Sequence, residues 1–262
     1  VKSAPPQSLA QSLSTSEPWL FLSPHLDDAV LSCGALIASQ VSRRDISVLT
    51  IFTECSRTPH SRAARSFLRQ CSAQDARSLY EARRKEDALV LEGLGVRLRH
   101  LGAPDALFRK RREVFPGSAK LGKALPELVH RYPTYRFDIA LGRVSKGDNA
   151  LIKELQGTVA QQIEELKAGL VFCPVGVGKH VDHLITRMVG EVSAERTVFY
   201  SDFPYNQNQQ PDEAFLRNRS LTEWHWGDGI KSKHQRVRQY ATQARALFPD
   251  GSIPVAPEIY YA

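Results

Sequence analysis

Cysteine and methionine are scarce in this chain, at four and one among 262 residues. Cys33, Cys55, Cys71 and Cys173 are scattered with no CxxC spacing. That excludes a cysteine-built zinc finger and a disulfide scaffold, and it predicts a reducing, cytoplasmic setting. Long hydrophobic runs are also missing. The two longest, Ala29 to Ala38 and Asp45 to Phe52, fall short of the roughly 18 residues that a transmembrane helix needs. There is no internal repeat and no helix-turn-helix, zinc-finger or aromatic-rich RNA-binding signature. Residues 1–17, rich in Ser, Pro and Gln, have no positively charged head leading into an apolar stretch. They read as a flexible arm before a single domain spanning 18–262.

The remaining composition is that of an ordinary globular protein, with 42% hydrophobic and 24% charged residues. The net charge is +7 and the pI about 9.3. Much of the excess sits in 57–85 and in Arg109, Lys110, Arg111 and Arg112. Without a nucleic-acid motif beside it, this reads as a solvated basic face, so no nucleic-acid partner is expected. Steering of an anionic substrate is the functional alternative.

Hydrophobic patterning predicts alternating strands and helices. Trp19 to Ser23 is a short apolar strand, Ala29 to Gln40 a helix, and Asp45 to Thr53 a β-branched strand buried on both faces. Ser78 to Leu94 is an amphipathic helix closed by Gly95, and Val96 to Leu101 a further strand. The alternation resumes with helix 151–167, strand 170–175, helix 183–193, strand 197–201 and a last helix, 230–247. Segments 54–77, 109–117 and 206–228 break it and read as long loops. The result is a parallel α/β domain.

In such a sheet, ligands gather beyond the carboxyl ends of the strands. Pro24-His25-Leu26-Asp27-Asp28 lies there, after the first strand. A His and an Asp three residues apart in a tight turn can face one point and offer zinc a nitrogen and an oxygen at about 2.0 to 2.2 Å. Asp27 is left unligated beside them. The loop Gly178-Lys179-His180-Val181-Asp182-His183 follows another strand, so two such loops can meet over one metal. Taken singly, each of these residues has a plainer reading, and Asp27-Asp28 can be a helix N-cap pair.

Pro24-His25-Leu26-Asp27-Asp28, followed by Ala29, Ser32 and Gly34, resembles the signature loop of the PIG-L (LmbE-like) de-N-acetylases, with Leu26 where many members have Pro. His180-Val181-Asp182-His183 resembles that family's second metal motif, and Arg83, Glu86, Pro104-Asp105 and 200–205 fall in matching order. The resemblance implies a Rossmann-like, mainly parallel sheet flanked by helices, with long loops over the active site. It implies that His25, Asp28 and His183 ligate Zn2+ or another divalent metal, and that Asp27 is the general base. His180, protonated, would hold the oxyanion or protonate the leaving amine, with Asp182 as its charge partner. Arg83 and Asp105 would lie near sugar hydroxyls. Some relatives have a Tyr just before the second motif, whereas Val177, Gly178 and Lys179 stand there here.

The implied activity is removal of an N-acetyl group from an N-acetylglucosamine-like sugar on a glycoconjugate or specialised metabolite. Two other readings keep parts of the site. One is a zinc-dependent amidase of a larger thiol or acyl conjugate. The other is a basic anion- or nucleic-acid-binding protein with a non-catalytic metal, although a structural site would close its fourth position with another ligand. Of the aromatics, Tyr200, Phe203, Tyr205, Trp224 and Trp226 are candidates for stacking on substrate. His60, His100, His130, His225 and His234 lack ligand spacing and read as structural.

Overall fold

The computed structural model describes residues 7–111 and 125–262. One seven-stranded sheet runs through them in the order β3-β2-β1-β4-β5-β7-β6. Strands β1 (Trp19–Ser23), β2 (Ile46–Glu54), β3 (Arg97–Pro104), β4 (Leu170–Pro174) and β5 (Thr197–Tyr200) are parallel. β6 (Glu223–Trp226) and β7 (Glu258–Tyr261) close one edge in antiparallel pairing. Strand order reverses between β1 and β4, where the crevice of a Rossmann-like sheet opens.

Side chains on β1 alternate between two cores. Leu20 and Leu22 face one and Trp19 and Phe21 the other, and all four are buried. Helices covering both sheet faces produce that pattern. The first core packs under α3 (Arg62–Gln70), α6 (Asn149–Leu166) and α7 (Val181–Gly190), and the second under α1 (Gln7–Ser14) and α2 (Asp28–Gln40). Helix α4 (Ala76–Gly93) contributes to both, and α5 (Pro126–Val129) is a single turn. Phe21 stacks on Phe172 across β1 and β4 at 4.3 Å between ring centroids.

Four segments depart from the sequence expectation. Gln7–Ser14, read as part of a flexible arm, forms α1. Leu9 is fully buried, Trp19 Nε1 donates to Ser12 Oγ at 2.7 Å, and the Arg44 guanidinium lies 4.0 Å over the Trp19 ring. The arginine-rich stretch 54–77 contains α3, whose buried side is only Ala64 and Leu68, too small a stripe to stand out among charges. The 206–228 stretch contains α8 (Glu213–Asn218) and β6. The last helix is two, α9 (Ile230–Val237) and α10 (Ala241–Leu247), and β7 follows them. Of the 109–117 segment, residues 112–117 lie outside the described residues.

The late elements attach to α2 through a buried ion pair. Glu258 of β7 accepts from Ala35 N and Leu36 N at 2.8 and 2.9 Å, while Lys233 of α9 donates to Leu31 O and pairs with Glu258 at 3.2 Å. The chain's last elements therefore hold the helix that begins at Asp28.

Because Leu9 is fully buried, Leu9→Ala is expected to lower the unfolding free energy by about 2 to 5 kcal/mol, read from urea denaturation. An unchanged midpoint would mean that α1 does not pack as described.

Candidate metal centre

The turn after β1 is built to free its acidic groups. Asp27 occupies the N-cap of α2 yet makes no side-chain cap bond. Ser23 Oγ takes the Ala29 N–H instead, at 3.0 Å, and the Asp28 carboxylate accepts the His25 N–H at 2.9 Å. The capping reading of Asp27-Asp28 therefore does not hold, and both carboxylates face the crevice with His25.

The turn after β4 needs its glycines. Gly176 and Gly178 have φ of +85° and +82°, and a Cβ on Gly178 would meet the Tyr205 ring at 3.0 Å. This turn delivers His180 to the N-cap of α7 and His183 to its first turn. His25 Nδ1 and His183 Nε2 lie 3.2 and 3.4 Å from the same oxygen of Asp28. Buried His183 Nε2 has no hydrogen-bond partner among the described residues, which leaves it available to an ion. These three residues can hold a metal ion, with the donor set of a catalytic zinc site.

The other nitrogen of each imidazole meets a carboxylate. Asp202 Oδ1 takes His183 Nδ1 at 2.6 Å, and Asp182 Oδ2 takes His25 Nε2 at 3.2 Å. Such carboxylates fix the ring and leave the opposite nitrogen as a lone-pair donor. Asp202 also accepts the backbone N–H groups of Gly176 and Val177 at 2.8 and 2.7 Å, so it shapes the turn that carries the ligand.

The electrostatics favour a cation. Burial alone lowers the pKa of both histidines, but Asp182 and Asp28 raise His25 well above its ordinary value, and Asp28 and Asp202 raise His183. Burial, then the charge on Asp28, pushes Asp27 up to about 7. His180 goes the other way: burial and the neighbouring His25 hold it well below the usual histidine value. Its Nδ1 accepts the Asp182 N–H at 3.2 Å, which assigns the proton of the neutral ring to Nε2. Asp182 acts on His180 as a nearby charge that raises its pKa, rather than through a carboxylate hydrogen bond to the ring. Asp182 turns that carboxylate to His25, Ala106 N and Arg109 instead.

Arg83 and Asp105 line the same cleft with Asp27, Phe67, Tyr135 and Tyr205. Asp105 is engaged by the protein, accepting from Tyr80 OH at 2.7 Å and Leu107 N at 2.8 Å. Arg83 is 8% exposed, its Nε has no partner, and its only hydrogen bond among the described residues goes to Cys71 Sγ at 3.7 Å. Of the candidate aromatics only Tyr205 reaches the cleft; Tyr200, Phe203 and Trp224 are core. Asp202 and Tyr135 carried no individual signal in sequence, since a lone Asp after a strand and a Tyr in a loop have no spacing to mark them.

The fold and this cluster define an α/β protein with a two-histidine, one-carboxylate group able to hold a metal ion at the switch point of its sheet. Residues 20–193 match the family described as PIG-L, GlcNAc-PI de-N-acetylase, and the chain belongs to that family. It is similar to the 2'-N-acetylparomamine deacetylase of Streptomyces fradiae, at 30% identity over 71% of this chain and 57% of that one. It is also similar to the Niallia circulans protein of the same name, at 24% identity over 93% and 90%. A deacetylase–teicoplanin complex shares the fold, with a TM-score of 0.71, 24% identity, and coverage of 93% of this chain and 97% of that one.

Asp202→Ala is expected to weaken zinc binding about 10- to 100-fold, measured by competition with a chromophoric chelator. Wild-type affinity in a folded Asp202→Ala protein would remove its orienting role.

Proposed function

We propose that this chain is a zinc-dependent de-N-acetylase acting on an N-acetylated amino sugar of a glycoconjugate or specialised metabolite. One observation carries the reading: three ligand atoms converge on a point while the buried carboxylate of Asp27 stands beside them, bound to no helix cap. The deacetylases of acetylparomamine among its relatives support an amino sugar as the acyl carrier.

A divalent ion held by His25, Asp28 and His183 supplies Lewis acidity and a water acidic enough to ionise near neutral pH. Asp27, raised by burial and by Asp28, takes the proton of the attacking water. The neutral His180 donates its Nε2–H to the oxyanion that develops on the amide oxygen, and such a preorganised donor contributes about 3 to 4 kcal/mol. A proton then reaches the leaving nitrogen from Asp27. Asp182 orients His25 and lies behind the chemistry rather than in it.

Arg83 receives a substrate oxygen, because a nearly buried guanidinium with a vacant Nε–H calls for an acceptor. A substrate carboxylate or phosphate satisfies it best, and the chain's positive charge agrees with such a partner. Asp105 supports Tyr80 and the Leu107 turn more than it faces solvent. No helix among the described residues is long and apolar enough to cross a membrane. Its free cysteines support a reducing, cytoplasmic setting.

A second reading has one observation in its favour. Leu31, Phe67, Leu107 and Leu247 give the cleft an apolar wall, which suits an acyl group longer than acetyl.

Three outcomes are expected on a panel of N-acylated amino sugars. Asp27→Asn loses about 100- to 10,000-fold in kcat while its metal content is unchanged, and His183→Ala loses the metal itself. Mass spectrometry of the acid released by wild type separates the two readings: acetate supports the first, a longer acid the second. No chelator-sensitive amide cleavage anywhere in a broad panel would count against both.

A further inference from the structure

Two groups of metal-capable side chains share His25. One is His25, Asp28 and His183; the other is His25, His180 and Asp182. They differ in what else their carboxylates touch.

Besides facing the two imidazoles, Asp28 accepts, among the described residues, only the backbone N–H of His25. Asp182, fully buried, has three partners. Its Oδ2 accepts Ala106 N at 2.8 Å and His25 Nε2 at 3.2 Å, and its Oδ1 is taken by Arg109 Nη2. A carboxylate has about four lone-pair sites, and these partners leave little for an ion.

Arg109 opens the basic run that reads in sequence as a solvated face, yet it is 3% exposed. Its Nε and Nη2 donate to Pro104 O at 3.1 and 3.0 Å, Nη1 binds Asp148 at 2.9 Å, and the guanidinium lies 4.6 Å over the Phe52 ring. Held on every side, a permanently charged planar group cannot swing away from Asp182.

Resting on the metal reading above, we propose that Arg109 is a positioning residue that reserves Asp182 for His25 Nε2. It thereby confines the centre to one divalent ion. Its charge lies against the only carboxylate of the second group and repels an incoming cation. With Asp182 held, His25 keeps its proton on Nε2 and its lone pair on Nδ1, and His180 stays free for substrate.

The competing account is that Arg109 is only a brace for the segment around Asp148, which Tyr132 and Arg131 also bind. Zinc per chain after equilibrium dialysis, with affinity by chelator competition, separates the two in wild type, Arg109→Met, Asp148→Asn and the double variant Arg109→Met/Asp148→Asn. The double variant also neutralises Asp148, one of the two buried carboxylates that lose a partner in Arg109→Met, so it stays informative if the single variant does not fold. Wild type and Asp148→Asn are expected to hold one ion with equal affinity. Both variants lacking Arg109 are expected to bind that ion about 10- to 100-fold more weakly and to take up a second, lost again on adding His180→Ala.

One ion of wild-type affinity in a folded variant lacking Arg109 overturns the inference, and so does a second ion in wild type. A wild-type protein that binds no zinc overturns the underlying metal reading instead.

Discussion

A buried imidazole can offer a lone pair to a metal only if its other nitrogen keeps its proton and finds an acceptor. That requirement governs the centre. His183 meets it through Asp202 and His25 through Asp182, leaving Nε2 of one ring and Nδ1 of the other facing a single oxygen of Asp28. Both supporting carboxylates do further work. Asp202 ties down the glycine turn after β4, and Asp182 is clamped by Arg109 and the Ala106 amide. The proposed ligands are thus fixed by hydrogen bonds within the protein itself.

Topology places these groups within reach of each other. β1 and β4 are parallel neighbours on either side of the order reversal, so the turns leaving them open into the same crevice. Two further walls come from distant sequence. Helix α4 presents Arg83 to the cleft, while Glu86 and Asp87 of the same helix bind Thr242 and Tyr240 at 2.7 and 2.9 Å, fastening α10 beside it. Gln243 then reaches Leu26 O at 2.8 Å, joining that wall to the metal turn itself.

The parallel half of the fold was legible because its strands other than β3 are largely apolar runs and its long helices are periodic. What escaped was short or disguised. The β6 and β7 strands have four residues each, pair antiparallel at the sheet edge and show no alternation long enough to register. Helix α1 lies in a Ser- and Gln-rich segment whose buried side, among the described residues, is just Leu9 and Ser12, with Leu13 partly buried. At the site, the proposed ligands His25, Asp28 and His183 were legible from spacing within two motifs. Asp202 falls in the matching segment 200–205 but, like Tyr135, shows its role only when chain folding brings the two to His183 and His180. Arg109 misled because a run of four basic residues has the composition of a surface, and only the fold shows that the first of them turns inward.

The most direct test of the central claim is anomalous diffraction at the zinc edge from crystals of the zinc-loaded protein. The account predicts one peak bounded by His25 Nδ1, Asp28 and His183 Nε2, with Asp27 beside it and outside the ligand set. A peak between His180 and Asp182, or none at either position in crystals with zinc in the mother liquor, would contradict it.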